Sequence, residues 1–366
     1  MQIQSYLFDQ LEEKNIICSQ LINDNGFQVD ILNYGGIIHQ ILLPDSKTGK
    51  QINVVLNYPN LTGYLENNLY LGCITGRHAG RIRNAEFTLF GTTHHLAKNN
   101  GEHNLHGGVS GLDKKIWAIT ELADGIQLTY ISPDMEEGFP ALVELTVNYR
   151  IIGDYTLQIE YYAVPDADTV INLTNHTYFN LTGQPHNATH QLLSINADKY
   201  CQIDSSGLVT SIIADVANTP FDFRQPKPID LEINLDDNQL HLANGYDHPF
   251  MLNSKSSTTS QNCLSNNNIE LNLLFTEHTL NNISNSNYHP DAILSDPLSQ
   301  RGLEVYTEEK FIVFYSGNYL TNPRSGICLE TQNIPNAINL DWTLDKSIYS
   351  PNKPYNSSTT WKFSIP

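Results

Sequence analysis

The chain has 366 residues, 40% hydrophobic and only 16% charged, with 19 Tyr and 13 Phe, a balance that buries a substantial core and excludes global disorder. Its formal net charge of −19 excludes nucleic acid and anionic membrane surfaces as partners, because both are gripped through Lys and Arg, and it suits a neutral small molecule. Length alone leaves one large all-β unit and two smaller domains both open.

The segment Met1–Asn15 carries Asp9, Glu12 and Glu13 and lacks the apolar centre of a signal peptide. No run of about 18 apolar residues follows that could span a bilayer. The five cysteines (Cys18, Cys73, Cys201, Cys263, Cys328) are widely spaced, odd in number and free of C-x-x-C pairs, as buried thiols in a reducing compartment are. The expected location is the cytoplasm, and triplets such as Asn60-Leu-Thr then arise from an Asn-rich composition rather than as glycan acceptors.

Two polar clusters come first, Gly76-Arg-His-Ala-Gly-Arg-Ile82 and Asn104-Leu-His-Gly-Gly108. Period-two alternation then predicts strands at Ile126–Tyr130 and Leu145–Tyr149, the latter turning at Gly153-Asp154 into Thr156–Tyr161 as a hairpin. A third cluster is Asn172-Leu-Thr-Asn-His-Thr-Tyr-Phe-Asn180. Ile229–Asn244 is the one longer helix candidate, although alternating Leu231, Ile233 and Leu235 suit a strand equally. Gly245-Tyr-Asp-His248 adds a carboxylate, and Asn253–Ser286, dominated by Ser, Asn and Thr, reads as a surface insertion. Leu303–Tyr306 and Phe311–Tyr315 flank a charged turn and predict a second hairpin, before the last cluster, Leu329-Glu-Thr-Gln-Asn-Ile-Pro335. Short strands broken by Gly, Pro and Asn turns predict an all-β sandwich of antiparallel sheets, and with no period of about 20 to 50 residues a propeller or solenoid is not supported.

Each cluster alone is weak. A single His is more often structural, and His103 with His106 finds no third ligand at a recognised spacing, so no metal is expected. Taken in order, with Asn33-Tyr-Gly-Gly36, Gly108-Val-Ser-Gly-Leu-Asp-Lys-Lys-Ile-Trp117, Thr219-Pro-Phe-Asp-Phe-Arg224 and Phe314-Tyr-Ser-Gly-Asn318, the clusters resemble the aldose 1-epimerase family from about Asn33 to Asn339. The resemblance implies a large antiparallel β-sandwich of the mutarotase kind, one all-β domain over residues 1–366 with a sugar-binding face, acting on a free aldohexose such as galactose or glucose. It assigns Glu330 as general base and His176 as general acid, with Arg81, His106 and Asp247 holding the sugar. Anomer exchange needs one base, one acid and hydroxyl partners, and no cofactor, because nothing is oxidised or reduced. A monomer and a homodimer are equally compatible with the sequence.

The chain departs from the family pattern at Gly80 (commonly Asn), Val313 (Gln in some members) and Asn336 (usually Asp). The first two bear on sugar preference, the third on the surroundings of the site. Three other readings compete: a glycosidase using Glu330 and Asp247, a sugar-binding module without turnover, and a phosphosugar epimerase clamping phosphate through Arg77 and Arg81. Gly107 and Gly108 are expected to serve tight backbone geometry, Trp117 and Tyr178 to be core or wall residues, and Asn175 and Thr177 to orient His176.

Overall fold

A computed structural model describes residues 1–45, 48–66, 69–254 and 289–366. Its architecture is the expected antiparallel sandwich. A nine-stranded sheet runs in the order 118–121, 125–132, 143–153, 156–165, 355–364, 302–307, 292–295, 192–195, 227–228. Opposite it lies a six-stranded sheet in the order 178–179, 327–332, 311–315, 247–251, 199–203, 209–215, and a five-stranded meander covers residues 2–53. Every pairing within the two large sheets is antiparallel.

The hairpin expected around Gly153-Asp154 forms, with Val143 opposite Pro165 and Gly153 opposite Thr156. Val143, Leu145, Val147 and Tyr149 point into the core from one face of its first strand, as period-two patterning requires. The large sheets meet across an aromatic layer. Phe179 of the six-stranded sheet packs edge-on to Trp361 of the nine-stranded sheet, ring centroids 4.8 Å apart, and nearby Phe314 stacks on Tyr246 and meets Phe223 edge-on. Full burial of each such side chain contributes about 1.5–3 kcal/mol.

Two expectations are corrected. Gly302–Thr307 and Phe311–Tyr315 are both strands, but they do not form a hairpin: the first joins the nine-stranded sheet between 292–295 and 355–364, the second the six-stranded sheet between 247–251 and 327–332. Glu308–Lys310 is therefore a crossover between layers, held by Glu308 N–H on Ser358 O. The segment 229–244 is neither a long helix nor a strand. It begins with a 3-10 turn at Ile229–Leu231 and ends with the helix Asn238–Ala243, capped where Asp237 accepts from the N–H groups of Gln239 and Leu240. Apart from Asn253 and Ser254, the Asn- and Ser-rich stretch lies outside the described residues, as does Cys263. Among the described residues Cys18, Cys73, Cys201 and Cys328 are buried free thiols, and no helix is long and apolar enough to cross a membrane.

Candidate active site

The six-stranded sheet supplies the floor of a cavity. Its register sets Tyr315 between Asp247 and Cys328, and Val313 between Pro249 and Glu330. Because side chains alternate faces along a strand, Asp247, Pro249, Val313, Tyr315, Cys328, Glu330 and Gln332 share one face, while Phe250, Ile312, Phe314 and Leu329 fill the core behind. The walls come from the first three polar clusters. Arg81-Ile82 pairs with Asn104-Leu105, and Thr174-Asn175 with Ile74-Thr75. Backbone bonds from Gly72 N–H to His176 O and from His176 N–H to Cys73 O strap His176 over the floor. Gly107 allows the close approach of two of these segments: its φ is +93°, and a Cβ there would lie 1.8 Å from Gly76 O.

Arg81, His106, His176, Asp247 and Glu330, drawn from widely separated parts of the sequence, all line a cavity of about 460 Å³. His176 Nε2 lies 3.4 Å from Glu330 Oε1, with both side chains buried. Arg81 donates from Nε to Asn100 Oδ1 at 3.0 Å and from Nη1 to Gly207 O at 3.4 Å, and Nη1 stands 3.9 Å from Asp247 Oδ2. His106 Nδ1 accepts the N–H of Gly80 at 3.2 Å. A neutral imidazole with Nδ1 so occupied carries its proton on Nε2 and is a donor there. Tyr70 packs on His106 at 4.6 Å and Tyr178 on His176 at 5.0 Å, forming aromatic walls.

Burial controls the protonation of these groups. It pulls His176 down from 6.5 to about 4, and pulls His106 well below its ordinary value with help from the positive fields of His176 and Arg81. Burial, then the neighbouring Asp247 charge, pushes Glu330 well above the ordinary carboxylate range, while Arg81 and Gln332 oppose that rise. Asp247 is itself raised by burial and restrained by Arg81.

His106, His176 and Glu330 offer ligand atoms within 4.8 Å of one another. His106 could ligate through Nδ1 only by giving up the Gly80 bond, and its Nε2 is protonated, so the set is arranged for hydrogen bonding rather than for a cation. His103 accepts the Asn84 N–H and is not a partner of that trio. Arg77 is turned away from the cavity: its buried guanidinium donates to Ser132 Oγ and to the carbonyls of Ser132, Pro133 and Pro140. The cationic pair that a phosphate clamp requires is thus not formed.

Trp117 is buried in the core, its Nε1 donating to Leu112 O, and Tyr178 is a cavity wall, its hydroxyl donating to Leu69 O. The bonds of Asn175 and Thr177 go to other groups than the His176 ring: Asn175 Nδ2 donates to the backbone at Gly72 O, and Thr177 Oγ1 donates to the Asn175 side chain at Oδ1. The ring's own neighbour at Nδ1 is Cys328 Sγ, 3.7 Å away. Of the departures, Gly80 and Val313 line the cavity, whereas Asn336 holds Arg83 N–H and Asn339 Nδ2 outside it. Sequence reasoning gave no site role to Tyr70, to Cys328, which it read only as a buried thiol, or to Gln332, which it noted only as a member of the last cluster. The one available signal was spacing, since Cys328, Glu330 and Gln332 are two residues apart, as residues on one face of a strand are.

Comparison with known proteins identifies the family. The family model described as Aldose 1-epimerase matches residues 18–362. The chain is 35% identical over 359 residues to the galactose mutarotase of Mus musculus, covering 94% of this chain and 93% of that protein. It is 30% identical to the aldose 1-epimerase of Escherichia coli, with 94% of each covered. Among solved structures, the galactose 1-epimerase of Lactobacillus acidophilus superposes with a TM-score of 0.81 at 29% identity, covering 100% of this chain and 99% of that one.

Proposed function

We infer that this chain, which belongs to the aldose 1-epimerase family, interconverts the α and β anomers of a free aldose, with Glu330 and His176 moving the two protons. The observation that carries the assignment is the buried 3.4 Å pair of Glu330 and His176 in a cavity edged by Arg81, His106 and Asp247.

Ring opening starts with Glu330 as carboxylate and His176 as imidazolium. Glu330 takes the proton of the C1 hydroxyl, the C1–O5 bond breaks, and His176 Nε2 gives its proton to O5, leaving a bound open-chain aldehyde. Rotation about C1–C2 presents the other face of the carbonyl, and the same two transfers in reverse close the ring as the opposite anomer. The pair holds one proton throughout, first on His176 and then on Glu330. Burial, which lowers His176 and raises Glu330, favours the second arrangement and so reduces the cost of the open-chain complex. His106 Nε2–H and Arg81 are donors for sugar oxygens, and the Asp247 carboxylate accepts from hydroxyls.

Galactose and glucose are the proposed substrates, since the cavity offers hydrogen-bond partners and no phosphate clamp, and relatives carry the name galactose mutarotase. The buried free thiols support a cytoplasmic location. Polarimetry on freshly dissolved α-galactose and α-glucose tests the activity and the pair together. Wild type speeds the approach to equilibrium rotation, while Glu330→Gln and His176→Asn lose about 10²-fold or more of that acceleration. A folded Glu330→Gln variant as fast as wild type would remove Glu330 from the reaction.

A further inference from the structure

Glu330 presents its two oxygens to different neighbours. Oε1 faces His176, and Oε2 accepts a hydrogen bond from Gln332 Nε2 at 3.3 Å. The direction of that bond is set by partners that end on the main chain. Asn333 N–H donates to Asn172 Oδ1 at 2.9 Å, and a main-chain N–H can only donate. Asn172 therefore offers its NH₂, to Asn333 O at 3.1 Å and to Gln332 Oε1 at 3.4 Å. With its oxygen taken up, Gln332 has only its NH₂ to turn toward Glu330. Asn172 and Gln332 are both fully buried, so bulk water does not compete for these bonds.

We propose that Gln332, oriented by Asn172, is a positioning residue that holds Oε2 of Glu330 and so aims Oε1 at the anomeric hydroxyl and His176. The proposal rests on the acid–base assignment above. The terminal torsion of a Glu side chain is broad, and without a bond at Oε2 the carboxylate exchanges its two oxygens and loses its aim. The same donated bond favours the ionised base among the fields around it. Those facing Glu330 come from His176, His106, Asp247 and Arg81, and from the Cys328, Cys73 and Tyr178 side chains beneath.

The test compares wild type, Gln332→Met and Asn172→Asp by polarimetry over a range of sugar concentration and pH. Gln332→Met keeps bulk and removes the donor. Asn172→Asp still accepts from Asn333 N–H but, as a carboxylate, has no donor for Gln332, freeing that amide to invert. In both variants kcat falls by about 10-fold to 100-fold, with KM within about twofold of wild type. The alkaline limb of the pH profile moves upward, because Glu330 has lost a donor that favours its charged form. Folded variants with unchanged kcat and alkaline limb overturn the proposal. So does a fall in kcat that tracks lost thermal stability while the limb stays put, which marks a merely structural role. If Gln332→Met does not fold, Asn172→Asp decides by the same readouts. A wild type that fails to accelerate anomer exchange overturns the acid–base reading and this proposal with it. Active wild type, inactive Glu330→Gln and two normal variants overturn the positioning role alone.

Discussion

His176 is 4% exposed and sits among Tyr70, His106, Tyr178 and Tyr315, so its charged form has lost nearly all its hydration. With its value lowered from 6.5 to about 4, the pair with Glu330 takes up a second proton only near the lower figure. Activity is therefore expected to survive acidification through the range where a free imidazole titrates. The acid limb of kcat/KM should lie well below 6.5, and a limb centred near 6.5 would show that burial does not govern this residue. The five residues proposed for the pair and for holding the sugar were named in the sequence only through the family resemblance that the ordered clusters carry, since each cluster alone is weak. Cys328, Tyr70 and Gln332 received no such role, since a Cys, a Tyr and a Gln in isolation carry no sign of what they touch.

The segments around Gly107 show how an element's geometry is held by one position. At φ +93°, with Gly76 O in the space a Cβ would need, Gly107→Ala forces the 104–108 segment away from Gly76-Arg77 and moves His106 with it. A loss of about 2–4 kcal/mol of stability is expected, read as a lower thermal midpoint, together with a raised KM for sugar. An Ala variant as stable as wild type would mean that the two segments separate without cost. At this scale the sequence succeeded where pairing is local: the 143–165 hairpin turns within a few residues and its alternation matches its register. It failed at 303–315 because the same alternation and the same charged turn serve a crossover, and the partners that distinguish the two lie as far away as Trp361 and Glu330.

Across the whole molecule, buried groups of both kinds oppose each other in the pH dependence of stability. His39, His78 and His248 are lowered by burial to about 4, about 4 and about 3, so the stability they contribute is present above 6.5 and is lost as pH falls. Asp113, raised by burial from 3.8 to about 7, works the other way: its contribution is full below 3.8 and is lost as pH rises through 7. Asp113 Oδ1 has no hydrogen-bond partner, so Asp113→Asn removes the titration with little rearrangement. The variant should gain on wild type by about 2–4 kcal/mol between pH 4 and pH 8, read from thermal midpoints at the two pH values. A difference that does not change with pH would place the Asp113 titration elsewhere. Composition and period-two patterning determined by themselves that this chain forms an antiparallel sandwich, because alternation decides which face of a strand leaves water. The ordered clusters likewise determined the chemical types at the site. Only the tertiary structure decided which strands share a sheet, that Arg77 is structural while Arg81 faces the cavity, and that Asn172 takes up the Gln332 oxygen and so turns its NH₂ toward Glu330. These depend on contacts between residues more than 50 positions apart, on which local pattern has no bearing.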